Sequence, residues 1–82
     1  MSRPVKRSFT LHGHRTSISL EAPFWEALKE AADREGVSLA ALVARIDDTR
    51  EKAGLSSAVR IWILQYMRNA AASTNYSGGN RD

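Results

Sequence analysis

The sequence predicts a mostly α-helical domain with one short β-ribbon, in which strands from two chains pair antiparallel. Residues 8–20 alternate apolar side chains with small polar or basic ones, which is typical of a half-exposed strand. Three later segments carry apolar residues at the three- and four-residue spacing of helices. The chain has 82 residues and no cysteine, and small domains without disulfides commonly gain stability by oligomerising.

The composition excludes several classes of protein. Apolar residues make up 43% and charged residues 26% of the chain, a globular mixture unlike that of collagen-like or disordered sequences. Without cysteine there is no thiolate nucleophile and no cysteine-based metal site. No apolar run reaches the roughly 18 residues of a membrane span, and polar residues interrupt any signal-like stretch. We therefore expect a single cytoplasmic domain that has no membrane partner.

The excess positive charge lies at the N-terminus. The formal net charge is +3, and Arg3, Lys6, Arg7 and Arg15 lie in a stretch of fifteen residues that contains no acid. From position 16 onward the remaining eight basic residues (12 − 4) face nine acidic ones. This asymmetry favours a polyanionic partner such as nucleic acid, although a solvated basic tail would give the same pattern.

The strand segment contains a change of register. Phe9 and Leu11 are odd-numbered, whereas Ile18 and Leu20 are even-numbered, so one continuous strand would direct the two pairs to opposite faces. The intervening Gly13 can supply the turn or bulge that resets the register. We therefore predict an arm strand, a turn and a main strand, at 7–11, 12–14 and 15–20.

Capping and breaking residues divide the rest of the chain into three helices. Pro23 suits the first turn of a helix, Gly36 suits its C-terminal end, and Ser38 suits the N-cap of the next helix. Ser56 or Ser57 can cap the third helix, whose wide apolar arc predicts contact with more than one neighbour. The predicted helices span 23–34, 39–50 and 57–71.

These elements predict four parts along the chain. A basic arm with a short strand and turn occupies 1–14, and a core of the main strand and two helices occupies 15–50. The third helix falls within 51–71. The small polar residues of 72–82 are typical of a disordered tail.

The main strand predicts a dimer, whether the arm at 7–11 pairs with it or crosses to the other subunit, because even a two-stranded hairpin is marginal in water. The strand cannot satisfy its own backbone groups, and pairing with its copy in a second chain gives an intermolecular antiparallel ribbon with helices behind it. A two-stranded ribbon fits the major groove of B-DNA, where arginine bonds guanine and serine pairs with several base edges. The outward positions of the main strand are Arg15, Ser17 and Ser19. The core shared by the two chains is predicted to contain Ile18, Leu20, Phe24, Leu28, Leu42, Val43 and Ile46.

The stretch RTSISLEAPFWEALKEAADREGVSLAALVARI resembles the ribbon-helix-helix DNA-binding proteins, the group that includes the Arc and MetJ repressors. The resemblance is carried by the polar-alternating strand, the helix start at Ala22-Pro23 and the turn Glu35-Gly36-Val37-Ser38. The longer string KRSFTLHGHRTSISLEAPFWEAL is similar to a subset of small bacterial members with a GHRTSxSLE core and a following FW pair. Together they cover about residues 6–50, and the third helix is an addition to the ribbon-helix-helix core.

The resemblance implies an intertwined homodimer that regulates transcription, as a nucleoid-associated repressor, by inserting its ribbon into double-stranded DNA. Two such dimers side by side on a repeated site would be usual for the family, with the third helix, through Trp62, Tyr66 and Met67, as a candidate for the contact between them. The resemblance also implies that Arg15, Ser17 and Ser19 contact bases. Glu21, next to the strand, would repel phosphate if it faced the duplex. The residues expected to contact phosphate are Lys6 and Arg7 of the arm, and Val37, Ser38 and Leu39 at the start of the second helix.

Two other interpretations of the chain remain open. It could be a protein-interaction module or an antitoxin-like dimer whose third helix binds a toxin or another protein through Trp62, Tyr66 and Met67. It could also bind DNA through a helix-turn-helix, although the acidic pair Asp47-Asp48 on the second helix disfavours contact with phosphate.

Catalysis and metal binding have little support in the sequence. No serine has the histidine and carboxylate partners of a nucleophile. His12 and His14 alternate as some metal ligands do, but no third ligand lies close to them in the sequence. We therefore expect neither enzyme activity nor a cofactor or metal.

Overall fold

The chain forms a two-stranded ribbon followed by three helices. The computed structural model describes the backbone of residues 3–50 and 54–77 and the side chains of 3–50 and 54–71. The elements, in chain order, are β1 (Pro4–Leu11), β2 (His14–Glu21), α1 (Ala22–Glu35), α2 (Leu39–Thr49) and α3 (Leu55–Ser77). The predicted ribbon, helix pair and additional C-terminal helix are confirmed.

The two strands form an antiparallel hairpin. Leu11 pairs with His14 beside the turn, and Pro4 pairs with Glu21 at the open end. The backbone φ angles of the turn residues, His12 and Gly13, are 53° and 81°. Two consecutive positive φ angles are the signature of the type I′ turn, whose twist matches that of a two-residue hairpin. This turn produces the change of register that the sequence predicts.

The partner of β2 is a strand of the same chain, whereas the sequence analysis expected a lone strand to pair with a second chain. The predicted arm was shorter, at 7–11, and the sequence left open whether it pairs with its own strand or with the other subunit. β1 begins at Pro4 and matches β2 along all eight residues, so one edge of β2 is satisfied within the chain. Pairing between two chains along the ribbon remains a prediction.

Trp25 of α1 holds β1 against the helices. Its indole Nε1 donates a hydrogen bond of 2.8 Å to the carbonyl oxygen of Val5. Its ring stacks on Phe9 with 6.0 Å between centroids, and the guanidinium carbon of Arg7 lies 5.3 Å from the ring centroid. One buried side chain thereby contacts three residues of β1.

The turn between α1 and α2 follows the predicted capping pattern. Gly36 has a φ of 71°, and its N–H donates to the carbonyl of Asp33 at 3.1 Å. The Ser38 hydroxyl accepts from the N–H of Ala41 at 3.0 Å. A left-handed glycine and a serine N-cap therefore end one helix and begin the next.

Helix α3 differs from the prediction at both ends. It begins at Leu55, so Ser56 and Ser57 both lie inside its first turn and neither caps it. At the other end the helix continues to Ser77, through residues predicted to belong to the tail. The alanines at 70–72 favour helix, and the next glycine comes only at position 78. The rest of the predicted tail, 78–82, and positions 1–2 and 51–53 lie outside the described residues.

The core lies inside the single chain. Phe24 is half-buried and packs against this core. Val59 and Ile63 of α3 complete it, so one chain covers its own apolar face, and a core shared by two chains remains a prediction. Six of the residues assigned to a shared core are each at most 2% exposed: Ile18, Leu20, Leu28, Leu42, Val43 and Ile46.

We predict that Trp25→Phe loosens β1 specifically. The substitution removes the hydrogen bond to Val5 and part of a buried ring, which costs about 1–3 kcal/mol of unfolding free energy. Chemical denaturation measures that loss, and amide hydrogen exchange should show faster exchange in β1 than in α2. Trp62→Phe is the matched control, since Trp62 is only half-buried. Unchanged exchange protection in β1 of Trp25→Phe would contradict the assigned role.

Candidate nucleic-acid interface

The ribbon has one apolar and one polar face. Side chains alternate along a strand, and residues paired across two strands share a face. Ile18 and Leu20 are fully buried on the apolar face. The opposite surface, called the polar face below, consists of Lys6, Ser8 and Thr10 from β1 and Arg15, Ser17 and Ser19 from β2.

The polar face consists of three cross-strand pairs. Lys6 lies opposite Ser19, Ser8 opposite Ser17, and Thr10 opposite Arg15. The hydroxyl oxygens of the two paired serines are 3.4 Å apart.

All six side chains are exposed except that of Ser19, which is half-buried. The six side chains offer hydroxyl groups and two cations, which suits hydrogen bonding to a polyanion. The pair Pro4–Glu21 continues this side of the ribbon at the open end of the hairpin.

Glu21 does not present an unpaired charge beside this face. Arg60 of α3 donates from Nε and Nη2 to Glu21 Oε1 at 3.2 and 3.1 Å. A hydrogen bond from its own backbone N–H and the bond from Arg60 lower the pKa of Glu21. The carboxylate is therefore ionised and paired, so the repulsion of phosphate expected from the sequence is offset by Arg60.

Helix α3 closes part of the edge of β2 that faces away from β1. The N–H of Ser19 donates to the Ser56 hydroxyl at 3.1 Å, and Arg60 Nη2 lies 3.4 Å from the carbonyl oxygen of Ser19. Counting from the two-residue turn, Ser19 occupies a position whose backbone groups point away from β1. This far edge of β2 is thus hydrogen-bonded within the chain at Ser19.

The residues predicted to contact phosphate on the arm lie on different faces. Lys6 belongs to the polar face, next to Ser19. Arg7 lies on the opposite face, where its guanidinium covers the Trp25 ring. The structure therefore brings Lys6 together with the predicted base-contacting residues and leaves Arg7 outside this surface.

The start of α2, also predicted to bind phosphate, lies apart from the ribbon turn. Asp48, near the other end of α2, contacts His12 of the turn at 2.8 Å, and a helix of this length separates its ends by about 15 Å. The backbone N–H of Val37 donates a hydrogen bond of 3.0 Å to the carbonyl oxygen of Ala32. An anion at this helix end would thus meet the N–H groups of Ser38 and Leu39.

The aromatic residues predicted to bind a partner through α3 are half-buried against the chain's own core. Trp62 stacks on Tyr66 with 4.9 Å between centroids, and Met67 packs against the same core. The Tyr66 hydroxyl donates to Glu35 at 3.2 Å. Desolvation of the Tyr66 hydroxyl is the main cause that raises its pKa, and the neighbouring Glu35 carboxylate raises the pKa further. These side chains connect α3 to α1 and the core.

Among the described side chains of α3, two large apolar ones face solvent. Ile61 and Leu64 are 54% and 57% exposed. Ile61 lines a shallow groove together with Ile46 and Ala58. The sequence analysis did not single them out, because the wide apolar arc of this helix does not show which of its residues turn outward.

The hairpin turn brings one histidine close to two carboxylates. The potential metal-ligating atoms of His12, Asp47 and Asp48 lie within 4.8 Å of one another. The fold thus brings His12 close to two carboxylates that lie at least 35 positions away in the sequence. His12 pairs with Asp48 at 2.8 Å, and Arg50 pairs with Asp47 at 2.6 Å. His14 is not part of this cluster, whose two carboxylates contact His12 and Arg50 within the protein.

Comparison with known proteins identifies the family. A family model described as a ribbon-helix-helix domain matches residues 4–67. This chain belongs to the ribbon-helix-helix family. The match includes both strands and most of α3 as well as the two central helices. It favours the ribbon-helix-helix interpretation of the chain over the helix-turn-helix interpretation.

A solved structure shares the fold. An uncharacterized protein from Bordetella pertussis Tohama I superposes with a TM-score of 0.76 and 34% sequence identity. The alignment covers 88% of this chain and 62% of that protein, so this chain spans less than two thirds of the relative's length. No curated protein matches the chain significantly. Among the residues that the structure describes, no helix combines the length and apolar character needed to cross a bilayer.

We predict that Arg60→Gln reduces the loss of folding stability that occurs as the pH is lowered below about 5. A lowered pKa means that ionised Glu21 stabilises the fold above the ordinary glutamate value of 4.5, and that this stabilisation is lost as the pH falls through the folded-state pKa. Without Arg60 the pKa of Glu21 moves back toward its ordinary value, and less stability depends on its ionisation. Thermal unfolding of the wild type and the variant, measured about every half pH unit between pH 3 and pH 7, gives the pH dependence of stability for each protein. Arg68→Gln is the charge-matched control, and an equal loss of stability at low pH in the two variants would contradict the assignment.

Proposed function

We propose that this protein is a transcriptional regulator that binds double-stranded DNA with sequence preference. The polar face of the ribbon enters the major groove, with Arg15, Ser17 and Ser19 against base edges. The observation that supports this proposal is that these side chains and Lys6 share one face of a ribbon-helix-helix fold, where the carboxylate of Glu21 is paired with Arg60.

The dimensions of the ribbon suit the groove. The major groove of B-DNA is about 12 Å wide and admits a two-stranded ribbon, whose strands are about 4.8 Å apart. The guanidinium of Arg15 can bond guanine O6 and N7 together, whereas serine hydroxyls donate or accept at several bases. Arg15 therefore supplies most of the discrimination, and Ser17 and Ser19 tune it.

The charge distribution supports binding to the phosphate backbone. Lys6 and Arg15 stand on the polar face, and Glu21 at its end is paired with Arg60. Lys6 is placed to contact the phosphates that border the groove, and the N–H groups of Ser38 and Leu39 can bind a further phosphate at the start of α2. Each phosphate contact made by a cation steepens the salt dependence of binding by about 0.9 in log–log slope.

Repression is the mode of regulation that we propose. A small domain that occupies a promoter blocks transcription without needing a further activity. The family generally binds DNA as a dimer, so we propose that two chains occupy neighbouring half-sites and that dimers can assemble side by side on a repeated site.

We predict that Arg15→Ala abolishes sequence preference while the fold is retained. Loss of a bidentate contact with guanine costs about 1–3 kcal/mol, which is about a 5- to 150-fold loss of affinity for the preferred site. Fluorescence anisotropy with the DNA upstream of the protein's own gene and with a scrambled duplex, at several salt concentrations, measures this loss.

The control is Arg68→Ala, which removes the same charge from α3. It should weaken binding to both duplexes by a similar small factor. If the wild-type protein binds neither duplex at low salt, or if Arg15→Ala binds as the wild type does, the proposed function is wrong.

A further inference from the structure

We propose that β1 supplies a second row of base-contacting side chains, Ser8 and Thr10, so that one chain carries a complete two-stranded DNA-contacting surface. The resemblance to the family implied base contacts from β2 alone, with the second strand of the ribbon provided by a partner chain. This inference rests on the proposed function, and it adds two specificity-determining residues to it.

The register places the two rows side by side. Thr10 lies opposite Arg15, and Ser8 lies opposite Ser17. Both pairs fall between the hydrogen-bonded positions of the hairpin, where opposed side chains come closest, with Cβ atoms about 4.5–5.5 Å apart. The 3.4 Å between the hydroxyl oxygens of Ser8 and Ser17 shows this proximity directly. Neither row is recessed, since Ser8, Thr10, Arg15 and Ser17 are all exposed.

The chemistry of the β1 row suits base edges. The Ser8 hydroxyl can donate to or accept from a base, and its neighbour Ser17 can share the same base pair. Thr10 adds a methyl group to its hydroxyl, and a methyl group can contact the C5-methyl of thymine. Beside Arg15, Thr10 would therefore favour a thymine next to the guanine that the arginine bonds.

The structure also shows why the second strand belongs to the same chain. On one side of β2, β1 is held by the buried Trp25 through its bond to Val5. On the other side, Ser56 and Arg60 occupy the backbone groups of Ser19. A strand from another chain that paired along the whole far edge of β2 would have to displace these bonds, whereas β1 is already in place.

The test is selection of preferred sites from a pool of random duplexes. Ser8→Ala and Thr10→Val remove one hydroxyl each from exposed positions, and valine retains the β-branched shape that favours strands. Each variant should lose the preference at a base position adjacent to the one affected by Arg15→Ala. Affinity for the wild-type consensus should fall at least about 5-fold, the usual minimum for one disfavoured base pair.

The controls make the same chemical changes away from the ribbon. Ser57→Ala alters an exposed serine of α3, and Thr49→Val alters an exposed threonine at the end of α2. Both should select the wild-type consensus, and thermal melting of every variant reports whether its fold is intact.

The outcomes separate the inference from the proposed function. If Arg15→Ala loses the consensus while Ser8→Ala and Thr10→Val select it unchanged, β2 alone contacts bases and the inference is overturned. If the wild-type protein selects no consensus at all, the proposed function fails as well. Loss of preference in both β1 variants, with both controls unchanged, supports the inference.

Discussion

The structure depends on the pairing of β1 with β2 within one chain. Two features select this pairing: a two-residue turn with two positive φ angles, and the indole of Trp25 bonded to the carbonyl of Val5. The turn sets the register, and the register directs Ile18 inward and Arg15 outward. A shift by one residue would exchange the faces, exposing the apolar residues and burying the cations. The composition of both the core and the candidate interface therefore follows from this one hairpin.

Helix α3 adds a second constraint, at the edge of β2 that β1 leaves uncovered. Val59 is fully buried and places the first turns of α3 against the core, where Ser56 and Arg60 reach Ser19. Arg60 also pairs with Glu21 and lies 5.7 Å from the Phe24 ring centroid. One arginine thus covers an unpaired strand edge and neutralises the carboxylate closest to the polar face. In the smallest form of the fold a partner chain is expected to cover this edge, and here α3 does so at Ser19.

Local patterns in the sequence predicted most of the fold. Period-two alternation located the strands, the parity of Phe9 and Ile18 located the turn, and Gly36 and Ser38 located the boundary between α1 and α2. The same alternation identified the outward polar residues of β2, which are Arg15, Ser17 and Ser19. The β1 row, Ser8 and Thr10, could not be predicted in this way. It lies inside the predicted arm strand at 7–11, but the sequence does not show whether that arm pairs with the main strand of its own chain. The pairs Glu21–Arg60 and Ser19–Ser56 span 39 and 37 residues, and no local signal indicates contacts between such distant positions.

The most direct test of the central claim is a disulfide placed across the ribbon. The protein contains no cysteine, and paired residues between hydrogen-bonded positions have Cα atoms about 4.5 Å apart, within disulfide range. Ser8→Cys combined with Ser17→Cys, oxidised and run on a denaturing gel without reductant, should give a cross-linked monomer. Ser17→Cys alone is the control, because any cross-link that it forms joins two chains. Free thiols in the double variant, or a cross-linked dimer in place of the cross-linked monomer, would contradict the pairing of β1 with β2 within one chain.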